Sequence, residues 1–481
     1  MGEISVIDSL PPKGATIYCM GVCGTGMGAL AGLLQSSGYK VRGSDEGMYP
    51  PMSDKLREWG VETISGFSAE NLEPRPDLII VGNVIRRHNP EAVYMREHAI
   101  PHLSMAQAVA EFAIRDRKSL VVAGTHGKTT TTALTMHLLR SAKRDPSFFV
   151  GGALKGYKES FHDGGGEQYV MEGDECDTAY FDKGPKFLHY RPQTTLISSL
   201  EFDHADIFES IADIEKSFAD LIKATAANGR LVLWAGAHRA LRLADALAAE
   251  RQVFIFDTQR SERTNIYFES YGFGEKGMHF VVNVCGKTYP QMLVPLWGEH
   301  NARNVLAAIA LTLDADLSPA ELAEGFLSFA GVRRRLDVIG TPGGVTVVDD
   351  FAHHPTAVKL AIGAARQRWP NKNLWCLFEP RSATTRRNVF QDEFIDALML
   401  ADKITVASHE RLEEIPEAER FNPLEVVNAL NRQGRRAYYD PLVETIIERL
   451  VAETQEGDVV LICSNGSFGG LHQKLLEALG K

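Results

Sequence analysis

A chain of 481 residues with 44% apolar and 23% charged side chains has the profile of a folded globular protein, and at about 150 residues per domain it predicts roughly three domains. Disordered and collagen-like classes are excluded. Fifty-one Lys and Arg against 62 Asp and Glu leave a net charge of -11, too mild and too evenly spread to mark a nucleic-acid or membrane surface, so neither is an expected partner.

No apolar run reaches the ~18 to 20 residues of a membrane span, and the first ten residues lack the basic and apolar regions of an export signal, which predicts a cytoplasmic protein. The cysteines (Cys19, Cys23, Cys176, Cys285, Cys376, Cys463) have neither zinc-site spacing nor the density of a disulfide scaffold. They are expected to be reduced packing residues.

β-branched runs that end in glycine and open into helix-period segments recur along the chain, the pattern of parallel α/β units. The first strand, Thr16 to Met20, leads into Gly21-Val22-Cys23-Gly24-Thr25-Gly26-Met27-Gly28 and a helical pattern closing at Gly38. Within it, Gly24-Thr25-Gly26 and Ala29 form a loose G-x-G-x-x-A, and Asp45 follows the next strand where a ribose-binding acid would sit. An NAD-binding domain and a merely structural unit both remain open. A helix N-terminus of this kind suits the diphosphate of any nucleotide, a sugar nucleotide included.

The second strand, Ser119 to Ala123, leads into Gly124-Thr125-His126-Gly127-Lys128-Thr129-Thr130. This predicts a phosphate loop: glycines free the backbone N-H groups, Lys128 supplies a point charge, and Thr129 offers a hydroxyl to magnesium. The loop is shorter than a standard Walker A, because Val122 and not glycine stands five residues before Gly127. Carboxylates to complete a magnesium site are offered by Glu172-Gly173-Asp174-Glu175-Cys176-Asp177 and by Glu201-Phe202-Asp203-His204-Ala205-Asp206, each after an apolar run. A plain acidic loop and a capped helix start with a surface histidine are the alternatives. Three strand ends gathered on one sheet edge would form a ligand site. Further on, Thr264 to Phe268 and Met278 to Val284 alternate like antiparallel strands.

The third strand, Val345 to Val348, leads into Asp349-Asp350-Phe351-Ala352-His353-His354-Pro355 and a helix from about Thr356. After the apolar run Leu374 to Leu377 comes Phe378-Glu379-Pro380-Arg381-Ser382, where Arg381 could fork onto a carboxylate. Loop polarity is the alternative for both. Polar, Arg-rich stretches put domain boundaries near 115 and 333, giving domains of 1–115, 116–332 and 333–481.

In this order the phosphate loop, Asp203-His204-x-Asp206, Gly298-Glu299-His300-Asn301-Ala302-Arg303-Asn304, Arg334-Arg335-Leu336-Asp337 and Asp349-Asp350-x-x-His353-His354-Pro355-Thr356 resemble the Mur ligases, ATP-dependent amide-forming enzymes of peptidoglycan synthesis. The resemblance implies an α/β fold of three domains: a Rossmann-like N-terminal domain, a P-loop-type central ATPase domain and a Rossmann-like C-terminal domain. Gly21 to Gly28 with Gly43-Ser44-Asp45 resemble the branch that takes UDP-N-acetylmuramate, which implies sugar-nucleotide contacts from Gly21, Gly24, Thr25, Gly26, Met27, Ser44 and Asp45. Two members share this pattern, one adding L-alanine and one adding the tripeptide L-alanyl-γ-D-glutamyl-meso-diaminopimelate. Glu172 to Gly184, the Phe378-Glu379-Pro380-Arg381-Ser382 run and Ser464-Asn465-Gly466-Ser467-Phe468-Gly469-Gly470 look like the tripeptide-adding member.

The resemblance further implies that ATP is held by Gly124, Thr125, His126, Gly127, Lys128, Thr129 and Thr130, with Asn301 and Asn304 near adenine, Arg335 on phosphate and Asp350 on ribose. Thr129 and Glu172 would hold one Mg2+, and His204 a second. His353 would be a base, and Arg381 and Ser382 would meet the peptide's carboxylates. No obligate protein partner is implied. Several relatives carry a carbamoylated lysine about fifteen residues after the metal histidine. Here that stretch has Phe218 and Ala219, with Lys216 and Lys223 out of register, so no carbamate is expected.

Overall fold

A computed structural model describes residues 9–48, 52–203, 207–208, 210–408 and 415–480. Three α/β domains follow one another, and the chain gathers into two compact units. The first unit runs to Leu200 and takes in Ala212–Phe256 and Ala307–Leu322; the second holds Glu201–Ile211, Asp257–Leu306 and Ala323 onward.

The first unit contains two large sheets and a two-stranded hairpin. Its N-terminal sheet has five parallel strands in the order Glu62–Ser65, Lys40–Asp45, Thr16–Met20, Leu78–Val81, His102–Ser104. The strand order reverses between Thr16–Met20 and Leu78–Val81, so a ligand crevice opens where these two strands end. Tyr18, Met20, Ile79 and Val81 are buried on one face with Ile85, Met95 and Ile100. The helix Thr25–Ser36 follows the glycine run and ends just ahead of Gly38, and the next strand runs Lys40–Asp45.

The other sheet of this unit runs Phe161–His162, Ser147–Phe149, Gln168–Gly173, Lys118–Ala123, Pro192–Ile197, Arg230–Trp234, Gln252–Asp257. All neighbours are parallel except the first pair. Lys118–Ala123 is therefore a central strand, flanked by Gln168–Gly173 and Pro192–Ile197, and the three ends share one edge as expected. Its helix, Lys128–Ser141, buries ten consecutive residues from Thr130 to Leu139. Phe218 is buried and packs on Phe187 with ring centroids 5.6 Å apart, while Lys216 and Lys223 are exposed.

The first and second expected domains pack together because side chains cross between their sheets. Trp59 meets Phe161 edge-on at 5.2 Å and its indole N-H donates to Glu159 at 3.1 Å. Tyr180 and Phe181, at the tip of the hairpin Asp177–Ala179/Asp182–Pro185, pack against the N-terminal core.

In the second unit, Ile266–Gly274 and Gly277–Val284 pair antiparallel, as their alternation predicts. The C-terminal sheet runs Asp337–Gly340, Thr346–Asp350, Val459–Cys463, Leu374–Phe378, Lys403–Ala407, Arg436–Asp440, parallel except for the first pair. Alternate residues separate to its two faces: Val348, Cys376, Phe378 and Leu461 join one core, Val347, Trp375, Leu377 and Val460 the other. That is the period-2 geometry of a strand covered on both sides.

No cysteine is in a disulfide. Cys19, Cys376 and Cys463 are buried, but Cys285 is exposed and is not a packing residue. It occupies a turn with Gly286, at φ of 50° and 87°, where the side chain projects from the hairpin end.

Candidate functional site

The phosphate loop leaves its strand at Gly124 and enters its helix at Gly127, both left-handed at φ of 121° and 82°. A side chain at Gly124 would also overlap the Ser198 hydroxyl, so glycine is required there twice over. The loop is tied to the end of the next strand: Thr125 N-H donates to the Ser199 carbonyl at 3.1 Å, His126 N-H to the Ser199 hydroxyl at 3.1 Å, and the Ser198 hydroxyl to the His126 carbonyl at 2.5 Å. Ser198 and Ser199 carry no motif, and only strand adjacency reveals them.

Lys128 opens the helix, and its ammonium donates to the Gly124 carbonyl at 2.7 Å and pairs with the Glu175 carboxylate at 3.3 Å. Burial acts to lower its pKa, but Glu175, Asp174 and Glu172 raise it further, so the ammonium stays charged. Thr129 donates its hydroxyl to Glu172 at 3.0 Å, and Gly151 N-H donates to the other Glu172 oxygen at 2.6 Å. Burial and then the Asp174 charge push the Glu172 carboxyl above its usual range. A hydroxyl and a carboxylate oxygen side by side, in a pocket that resists negative charge, are the hard donors that a divalent cation needs, so the residues fit magnesium. Glu172 lies within its strand and not beyond it. Thr130 is buried.

At the end of the second strand of the N-terminal sheet, the Ser44 side chain is turned into the protein. It is fully buried, with its hydroxyl donating to Glu91 at 2.7 Å, while its carbonyl accepts the N-H groups of Gly21 and Val22 at 2.9 and 3.0 Å. Asp45 accepts from Cys23 N-H at 2.9 Å and Gly47 N-H at 3.0 Å, so this acid braces the glycine loop. Met27 is buried, and Gly26 is small because Met105 packs over it, 2.7 Å from where a Cβ would stand. Gly24 and Thr25 are exposed at the start of the helix. The opposite rim, Gly82 to His88, was not singled out in the sequence; it presents exposed Asn83, Val84, Arg86, Arg87 and His88. The signal for it is the strand order, which motif reading does not supply.

In the second unit, Asp350 is nearly buried and accepts N-H groups from Leu336 at 2.7 Å and Ala352 at 2.8 Å. Burial raises its pKa, and the Arg335 charge with these two donors opposes the rise. Its oxygens brace the strand-to-helix turn. Arg335 lies over the Phe351 ring at 5.2 Å. Asn301 and Asn304 are buried on one helix, Asn304 donating to the Asn301 oxygen at 3.0 Å and Asn301 to the Trp297 carbonyl at 2.8 Å. His353 sets its Nδ1 3.0 Å from the Phe351 carbonyl.

The neighbouring histidine, His354, is the more buried, and it caps the helix by accepting from Thr356 N-H at 3.3 Å. Thr356 in turn donates its hydroxyl to Glu201 at 2.7 Å. Asp203 accepts from Thr384 at 3.3 Å, whereas His204 and Asp206 lie outside the described residues.

Arg381 is exposed and crosses over Gly466, where any Cβ would overlap its guanidinium. Glu379 beside it accepts the Ser464 hydroxyl, and Gly466 N-H donates to that same hydroxyl at 2.9 Å. Arg334 ties this loop down, donating to the carbonyls of Ser464 at 2.6 Å and Gly466 at 2.8 Å and pairing with Asp349 at 3.2 Å. Ser382 caps its own turn, accepting from Thr385 N-H at 3.1 Å, so it supports the Arg381 loop.

Residues 16–117 match the Mur ligase family, catalytic domain; residues 122–312 match the Mur ligase middle domain; residues 334–466 match the Mur ligase, glutamate ligase domain. The chain is 36% identical over 466 residues to the UDP-N-acetylmuramate–L-alanyl-gamma-D-glutamyl-meso-2,6-diaminoheptandioate ligase of Escherichia coli (strain K12), covering 97% of this chain and 98% of that protein. It is 30% identical over 475 residues to the UDP-N-acetylmuramate–L-alanine ligase of Lachnoclostridium phytofermentans, covering 96% and 97%. The solved murein peptide ligase of Psychrobacter arcticus 273-4 superposes with a TM-score of 0.71 at 30% identity, over 97% of this chain and 99% of that one.

Proposed function

The chain belongs to the Mur ligase family, and from that premise we propose that it is the ATP-dependent ligase joining the lactyl carboxylate of UDP-N-acetylmuramate to the amine of L-alanyl-γ-D-glutamyl-meso-diaminopimelate. The product serves peptidoglycan recycling in the cytoplasm. Residues 1–115 bind the sugar nucleotide, 116–332 bind ATP, and 333–481 bind the peptide. The observation that carries the reading is the juxtaposition of Lys128, Thr129 and Glu172 at one sheet edge, in a chain closer in identity to the tripeptide ligase of E. coli than to the L-alanine ligase above. Among the described residues no helix is long and apolar enough to cross a membrane.

A carboxylate and an amine at neutral pH form a salt, so the carboxyl carbon must first gain a leaving group. The lactyl carboxylate attacks the γ-phosphorus of ATP; the bond to the β-bridging oxygen breaks, giving ADP and an acyl phosphate. Lys128 moves from Glu175 to the phosphates and neutralises charge on them, with Arg335 as a further cation. Thr129 and Glu172 would hold magnesium, with His204 for a second ion; magnesium supplies charge neutralisation on the phosphate oxygens. Asn301 and Asn304 lie near adenine, and Asp350 near ribose. The peptide's α-amine then attacks the acyl carbon, the C-O bond to phosphate breaks, and the amine proton leaves to a base, for which His353 is the candidate. Arg381 orients the peptide through a carboxylate, its planar fork fixing direction. Correct placement of the two reactants supplies much of the acceleration.

Phosphate release from ATP and magnesium, measured with UDP-N-acetylmuramate plus either the tripeptide or L-alanine and with product mass determined, tests this. Tripeptide-dependent release with the ligated mass is expected. Release with L-alanine alone would move the chain to the alanine-adding branch, and release with neither would end the ligase reading.

A further inference from the structure

Lys186 is a partly buried cation that the proposed chemistry leaves without a task. Its side chain is 16% exposed, yet its ammonium bonds one side chain among the described residues, Asp174 at 3.3 Å, and Asp174 is itself 43% exposed. An ammonium has three donors. One is engaged with a partner that water can also satisfy, so the other two are poised for an acceptor brought by a ligand.

Its position identifies that ligand. Lys186 opens the short turn Lys186–His189 at the foot of the hairpin, and its N-H donates to the Cys176 carbonyl at 3.2 Å. Phe187, fully buried next to it, fixes the backbone by packing on Phe218 and beside Gly173. The same acidic run that holds Lys186 holds the phosphate-loop lysine: Asp174 pairs with Lys186 and Glu175 with Lys128. From this foot the hairpin reaches the N-terminal sheet, where Tyr180 accepts from Arg96 at 2.9 Å and Phe181 meets His102 edge-on at 5.1 Å. Lys186 thus stands at the phosphate-loop end of a hairpin whose tip packs on the core of the N-terminal sheet. A carboxylate delivered to the γ-phosphate of ATP meets strong repulsion, and a second ammonium held by the same acidic run as Lys128 is a group that relieves it.

We propose that Lys186 binds a substrate carboxylate, exchanging Asp174 for it when the substrate arrives. The inference rests on the ligase reading above. The carboxylate comes from the lactyl group of the sugar nucleotide or from the peptide, and both present the same chemistry to an ammonium.

The test compares the wild-type protein with Lys186→Met and Lys186→Arg, using UDP-N-acetylmuramate and UDP-N-acetylglucosamine, which lacks the lactyl carboxylate. Binding is measured by titration calorimetry, and KM values for ATP and for tripeptide by phosphate release. If the lactyl group is the ligand, K186M weakens UDP-N-acetylmuramate binding about tenfold, leaves UDP-N-acetylglucosamine binding unchanged, and K186R recovers part of the loss. If the peptide is the source, K186M raises the tripeptide KM by a similar factor at constant ATP KM. The proposal is overturned if K186M keeps both sugar discrimination and tripeptide KM within about twofold of wild type, or if it weakens both sugar nucleotides and ATP equally, as a mere hairpin anchor would. Wild-type protein that fails to distinguish the two sugar nucleotides and ligates nothing would instead sink the underlying ligase reading.

Discussion

Lys128 and Glu175 form an ion pair across 3.3 Å in which both side chains are largely shielded from water. Triphosphate must take this lysine from its carboxylate, and a unit charge left beside the phosphates opposes their binding. Glu175→Gln should therefore tighten ATP binding, roughly three- to tenfold in Kd by calorimetry. A weaker Kd would show instead that Glu175 is needed to aim the lysine.

Thr129 donates to Glu172 at 3.0 Å, and both are proposed above to hold magnesium. Thr129→Val keeps shape and removes the hydroxyl. The magnesium concentration for half-maximal phosphate release should rise by about tenfold, whereas Thr129→Ser should stay near wild type. Equal behaviour of the two variants would remove Thr129 from the metal site.

Gly466 exists as glycine because Arg381 lies over it. Gly466→Ala should displace the guanidinium and raise the peptide KM about tenfold or more, as Arg381→Ala should, with the ATP KM unchanged. The double variant should be little worse than either single one, since both remove one interaction. Additive losses would mean that the two residues act separately.

Glu91 is fully buried and accepts from Tyr18 at 2.9 Å, Ser44 at 2.7 Å and Asn71 at 2.8 Å. Glu91→Ala orphans these donors, at about 1–3 kcal/mol for each that water cannot reach. Urea unfolding should show a loss of at least about 3 kcal/mol in the transition that involves this domain. A loss under about 1 kcal/mol would mean that the network is dispensable.

Asp182 pairs with His189 at 2.7 Å. Burial acts to raise its pKa, but the His189 hydrogen bond and charge, Gly184 N-H and Ser104 outweigh it, and the carboxyl falls below its ordinary 3.8. A depressed carboxyl contributes stability above its unfolded pKa and loses it as pH falls through the folded value. The stability gap between wild type and Asp182→Asn should be widest above about pH 5 and shrink in more acid solution. A gap independent of pH would exclude ionisation as the cause.

The local chemistry of this chain was legible in its sequence. Gly124, Gly127, Lys128 and Thr129 announce a phosphate loop because backbone conformation and charge at a strand-to-helix turn are set by neighbours in the chain. Period-2 and helix-period patterns likewise placed Thr16 to Met20, the helix from about Thr356 and the pair around 266–284, since a strand or helix records its own buried face.

Tertiary structure decided which polar groups are used up and which are presented. The side chains of Ser44 and Asp45 meet Glu91 and the backbone of the glycine loop and of Gly47. Glu91 lies 47 residues from Ser44, and no local pattern records such a partner. The Gly82 to His88 rim, the serines behind the phosphate loop, Gly466 beneath Arg381 and Lys186 beside Asp174 depend on strand order and side-chain reach. Spacing along one segment sets what a residue can do; contacts between distant segments, built by packing, set whether that capacity is left for a substrate.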